Sequence, residues 1–118
     1  MNLNGIPQHL KIKDYREYLT NNIDMKAIWN GKIIAESENT IYIENNYYFP
    51  PNSINKEFIK PSKTSSVCPW KGNAAYYNID VDGEKNIDAA WYYPEPKDMA
   101  KKLKNYVAFW RGVEIINN

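Results

Sequence analysis

The chain reads as a β-rich α+β domain, a small and mostly antiparallel β structure carrying two or three short helices. Three observations lead there. From Met25 onward, apolar and aromatic residues recur with a period of two over much of the sequence. Two-residue turn signals, Asn30-Gly31 and Asp82-Gly83 foremost, separate these runs, and strands joined so tightly must be antiparallel. Helical periodicity occurs only in brief stretches, so the alternating strand and helix order of a parallel sheet is not present.

Residues 1–24 read as an N-terminal arm and residues 25–118 as a single domain. Within the arm, Lys11 to Asn21 places Ile12, Tyr15 and Leu19 on one stripe, which predicts a short amphipathic helix. Lys26 to Trp29 and Lys32 to Ser37 flank Asn30-Gly31 and predict a hairpin, because both turn residues must take positive φ. Glu38-Asn39 turns the chain into Thr40 to Glu44, and Asn45-Asn46 turns it into Tyr47 to Phe49, extending a tight antiparallel meander. Pro50-Pro51 stops it. Ser53 is placed to cap a helix from Ile54 to Ile59, with Ile54 and Phe58 on one side. Pro61 opens a loop. Ala74 to Val81 and Ile87 to Tyr93 are the next strands, joined at Asp82-Gly83. Pro96 suits a first helical turn, with Asp98 at the positive end of the dipole and Met99, Leu103 and Tyr106 as the apolar side. Val107 to Trp110 and Val113 to Ile116 close the chain as strands, around an Arg111-Gly112 turn.

A length of 118 residues suits one domain. The ten Tyr and four Trp, at about 150–250 Å² of burial per ring, make a compact core feasible without staples. A net charge of +1 supplies no field for steering towards a nucleic acid polymer or an anionic membrane. The single cysteine rules out an internal disulfide, and neither a long apolar run nor a signal-peptide pattern is present, so the expected location is cytoplasmic. His9 and Cys68 are the only His and Cys, short of the roughly four ligands of structural zinc. No metal centre or cofactor is predicted; oxygen-ligand metals such as Mg²⁺ stay open. The composition does not set the oligomeric state.

The candidate site is the stretch Ser62 to Gly72, which holds Cys68, Lys71 and several hydroxyls between two aromatic-rich strands. Cys68 is a nucleophile only where its thiolate is stabilised, and Lys71 in a tight turn would do this. With no second Cys and no core His, Cys68 reads more simply as a small packed anchor. Lys71 suits a phosphate or carboxylate, or an ion pair with Glu36 or Glu44. Ser62 and Thr64 would orient such a ligand, against the simpler role of satisfying loop backbone groups. Trp70, Trp91, Tyr48 and either Tyr76 or Tyr77 would wall a pocket, although consecutive tyrosines on a strand point to opposite faces. Glu44, turned inward, would serve as a general base.

The blocks Trp29 to Ser37, Tyr48-Phe49-Pro50-Pro51, Ser62-Lys63-Thr64, Cys68-Pro69-Trp70-Lys71-Gly72, Ala89 to Pro94 and Val107-Ala108-Phe109 together resemble the domain of unknown function 427 family, also labelled nucleotidyltransferase-like. The resemblance spans roughly residues 25–116. It implies a compact, mostly antiparallel domain with a bent two-sheet, β-tent-like form, and no settled activity. The family's usual Gly before Tyr-Phe-Pro is here Asn45, which also tolerates positive φ. Nucleotidyl transfer would need paired carboxylates on a strand and a Gly-Ser loop. Asp80-Val81-Asp82 offers the pair, yet Asp82-Gly83 reads as a turn and no Gly-Ser loop exists.

Three functions follow as expectations. The first is binding of a small polar or anionic ligand, a nucleotide among them, around Cys68–Gly72. The second is an enzyme with Cys68 as nucleophile or Glu44 as base. The third is a protein-interaction module with an aromatic surface.

Overall fold

A computed structural model describes residues 23–117; the helix expected over residues 11–21 and His9 lie outside the described residues. The described residues are β-rich, with nine strands in three antiparallel sheets. The helices expected of an α+β domain are not found among them: what forms instead is short 3-10 turns at Pro51–Ser53, Lys56–Phe58 and Asp98–Leu103.

β1 (Met25–Trp29) and β2 (Lys32–Ser37) form the expected hairpin. Asn30 and Gly31 have φ of 49° and 75°, the paired positive values that match the twist of the flanking strands. β9 (Glu114–Asn117) joins the other edge of β1, giving the order β2-β1-β9. β3 (Ile41–Ile43) and β4 (Asn46–Tyr48) form a second hairpin turning at Glu44-Asn45. The single meander expected over residues 26–49 is therefore two separate hairpins, because β3 pairs with β4 and not with β2.

The third sheet is β5 (Ile59–Cys68), β6 (Gly72–Val81), β7 (Glu84–Tyr92) and β8 (Val107–Phe109), in that order. β5 runs through the stretch expected to be a loop. Its period-two signal is absent because most residues of this edge strand are exposed on both faces. The helix expected from Ile54 also fails. The Ser53 hydroxyl donates back to the Pro50 carbonyl at 2.7 Å instead of capping forward, and Ile54 bridges to Ala35. Met99, assigned to an apolar helix side, is exposed, whereas Ala100 and Leu103 are buried.

The four-stranded sheet separates two cores. Strand alternation sends Tyr77, Ile79 and Val81 of β6, with Val107 and Phe109 of β8, towards the three-stranded sheet. Ala74 and Tyr76, Trp91 and Tyr93, and Ala108 face the second core, which the β3–β4 hairpin covers with Ile41, Ile43 and Tyr48. Phe49 ties the layers together. It exchanges backbone hydrogen bonds with Val107 at 2.8 Å each way and meets the Phe109 ring edge-on at 5.6 Å.

Candidate functional site

On the second face lies a cleft of about 220 Å³ lined by Asn46, Tyr48, Lys71, Tyr76, Trp91, Tyr93 and Trp110. Its aromatic lining follows from strand parity. Trp91 and Tyr93 are two residues apart and share a face; Tyr92 points away and stacks on Tyr77 at 4.5 Å. The same rule selects Tyr76 over Tyr77 and Tyr48 over Tyr47.

Lys71 reaches the cleft from a three-residue turn, Pro69-Trp70-Lys71, closed by the Cys68–Gly72 pair of β5 and β6. The segment Glu95–Lys97 clamps this turn. The Lys97 backbone N–H donates to the Lys71 carbonyl at 2.9 Å, and the Lys97 ammonium donates to the Pro69 carbonyl at 2.7 Å. Gly72, at φ +114°, allows the close approach, since a Cβ there would sit 3.3 Å from the Glu95 carbonyl oxygen.

The Lys71 side chain is only 7% exposed, and burying an ammonium is costly without compensation. Three rings surround it, Trp70 at 4.7 Å, Tyr48 at 5.9 Å and Tyr93 at 6.0 Å from the nitrogen to the ring centres. Glu44 completes the environment with an ion pair from the β3–β4 turn, its own side chain 55% exposed. Of the two partners expected for Lys71, Glu44 is the one found; Glu36 lies on the three-stranded sheet, 3.9 Å from Lys26. Glu44 is therefore the ion-pair partner of Lys71, and its side chain is mostly exposed where an inward-facing one was expected of a base.

The Tyr48 and Tyr93 phenols stay protonated near neutral pH. Burial pushes Tyr48 above its ordinary value, against the opposing pull of Lys71. Burial raises Tyr93 as well, helped by Tyr48 and Cys68. The Trp91 indole N–H donates to the Tyr48 hydroxyl at 3.3 Å, and Tyr76 shares a 2.8 Å hydrogen bond with Ser66.

Other expected site residues lie elsewhere. Trp70 packs on Lys71 and the second core without lining the cleft. Cys68 is half-buried and packs against the same core, the anchoring role. Ser62 and Thr64 turn to Asp88, donating to its two carboxylate oxygens at 2.5 and 2.7 Å, and neither lines the cleft. These bonds, the Ser62 one foremost, hold the Asp88 carboxyl below its ordinary value. Asp82-Gly83 is a hairpin turn with φ of 52° and 83°. Among the described residues no three His, Cys, Asp or Glu side chains converge as a metal site, and no helix is long and apolar enough to cross a membrane.

Sequence reasoning missed Asn46, Tyr93, Trp110 and Asp88. Tyr93 was open to detection by its period-two spacing from Trp91. Trp110 was not. It lies just beyond β8 and is held by a bulge in β7, where Asp88 adopts φ 55°. The Asp88 N–H donates to the Asn78 side-chain oxygen at 2.8 Å, and the Trp110 indole N–H donates to the Asp88 carbonyl at 2.5 Å. Arg111 packs on the Trp110 ring at 4.6 Å.

A family model described as a domain of unknown function, DUF427 (NTP_transf_9), matches residues 17–117. The chain belongs to this family. No curated protein matches the chain. In this DUF427 member the Cys-Pro-Trp-Lys-Gly block is the β5–β6 turn, and the Trp91-Tyr92-Tyr93 block supplies the cleft's wall.

Proposed function

We propose that this protein binds a small polar or anionic ligand in the cleft, with Lys71 as the anchor. The observation that carries this reading is the placement of Lys71. An ammonium buried to 7% among aromatic rings, with a solvent-side carboxylate as its partner, is a costly arrangement that a purely structural turn does not require. Ligand sites are concave and mostly apolar, with few polar groups fixing orientation. Here Lys71, the Tyr48 hydroxyl and the Asn46 amide are those groups, and Trp91 and Tyr76 are the wall. The cytoplasmic setting and the bent, tent-like form belong to the same reading. The Phe49–Val107 bridge, which links the β3–β4 hairpin to the four-stranded sheet, supports that form.

The test is a thermal-shift screen of small carboxylates, phosphates and nucleotides against the wild-type protein and Lys71→Met. A ligand at about a hundredfold excess over Kd adds about 2.7 kcal/mol, a rise of several degrees for a domain of this size. That rise should vanish in Lys71→Met. Equal stabilisation of both proteins would remove Lys71 from the site.

A further inference from the structure

Resting on the ligand-binding reading above, we infer that the cleft takes a single-ring aromatic or heteroaromatic carboxylate, and that Glu44 is its built-in competitor for Lys71. Four observations lead to this. The first is size. An apolar cavity of about 150 Å³ holds benzene, so 220 Å³ holds one ring and a short substituent, about ten non-hydrogen atoms on the same scale. A whole nucleotide has roughly twice that many atoms and would leave base or phosphate outside.

The second is the wall chemistry. The indole N–H of Trp91 is directed at Tyr48 and that of Trp110 at the Asp88 carbonyl. The Tyr76 hydroxyl is engaged with Ser66. What these residues offer a ligand is therefore ring surface, suited to stacking and edge contacts with a planar apolar body. Trp91 and Trp110 stand edge-to-face at 5.7 Å and 76°, a corner against which one ring can lie.

The third is polarity at one end. Lys71 and the protonated Tyr48 hydroxyl lie together, a cation beside a neutral donor, which matches the two oxygens of a carboxylate.

The fourth is Glu44 itself. It already places a carboxylate on the Lys71 ammonium, from a turn whose two residues both hold left-handed backbone, φ 52° and 67°. The backbone is set by that turn, while the side chain is mostly in water. Exchanging it for a ligand carboxylate keeps one negative charge on the buried ammonium and releases Glu44 to solvent at little cost. The entry of an anion is thus an exchange of carboxylates at constant charge, and a neutral ring gains nothing from it.

The experiment is a titration of ¹⁵N-labelled full-length protein, following the indole N–H resonances, with benzoate, benzamide, inorganic phosphate and AMP. Benzoate should shift Trp91 and Trp110 and leave Trp29 in place, since Trp29 packs against the other core. Benzamide should bind far more weakly. In Glu44→Gln, and in Glu44→Asn, which suits left-handed backbone, the benzoate Kd should fall by roughly three- to tenfold, the scale of a lost partly exposed ion-pair competitor. An unchanged or weaker affinity in both variants would overturn the competitor role. Phosphate or AMP shifting the same resonances, with benzoate silent, would overturn the ligand class while leaving the anion-binding reading intact. No shift from any anion would overturn both.

Discussion

Asp88 holds a conformation that few residues other than glycine adopt, φ 55° in the middle of a strand. Such backbone costs about 1–3 kcal/mol and persists only where the surroundings over-determine it. Here Asn78 takes its N–H, Trp110 donates to its carbonyl, and Ser62 and Thr64 bind its carboxylate. The carboxyl's folded pKa lies below the ordinary 3.8. A depressed carboxyl contributes stability above its unfolded pKa and loses it as pH falls through the folded value. Asp88→Asn keeps a residue tolerant of left-handed backbone but removes this titration. Urea midpoints measured from neutral to strongly acid pH should therefore fall more steeply below about pH 4 in the wild type than in Asp88→Asn. Superimposable profiles would show that the Ser62 and Thr64 bonds add nothing to the folded state. Nothing in the residues around Asp88 marks it beforehand: the bulge exists because β6 and β7 shift register between Tyr77 and Ile79.

At the scale of elements, tight turns were legible and helices were not. Asn30-Gly31 and Asp82-Gly83 form turns as expected because their chemistry is local: both positions need positive φ, and these residues accept it. The residues from Ile54 to Ile59 failed as a helix because Ile54 has a better partner in β2 and the Asn55 N–H donates to the Ile34 carbonyl at 2.8 Å. Spacing within the segment cannot show a partner twenty residues away. The Cys68–Gly72 turn is the element on which the site depends, and its glycine is testable. Gly72→Ala forces both a strained φ and a 3.3 Å approach to the Glu95 carbonyl, for an expected loss of about 1–3 kcal/mol. Gly31→Ala meets nothing within 4 Å and should lose only about 1 kcal/mol. Equal losses by chemical denaturation would mean that the Glu95–Lys97 clamp yields.

For the whole molecule, the decisive arrangement is one sheet with a core on each side. Phe49 is fully buried where the β3–β4 hairpin meets β8. Phe49→Ala should cost about 3–5 kcal/mol, a large share of the 5–15 kcal/mol typical of a domain. Because the hairpin carries Glu44, Asn46 and Tyr48, the same change should broaden or shift the Trp91 indole resonance at temperatures where the protein remains folded. An unmoved Trp91 signal would show that the hairpin is held without Phe49.

The sequence by itself determined the antiparallel β class, the Asn30-Gly31 and Asp82-Gly83 turns and the family, and it singled out Lys71, Tyr48 and Trp91, which the fold brings to one cleft. Period and turn chemistry are readable within a few residues, and the family from short blocks taken together along the chain. Tertiary structure alone decided the rest. Ser62 and Thr64 belong to Asp88, Glu44 belongs to Lys71, Trp70 packs on Lys71 away from the cleft, and Trp110 joins the wall. The physical reason is that the cleft gathers residues from β4, the β5–β6 turn, β6, β7 and the end of β8. Their meeting depends on strand order and on two register shifts, at Pro61–Ser65 and Tyr77–Ile79, which no local pattern of side chains records.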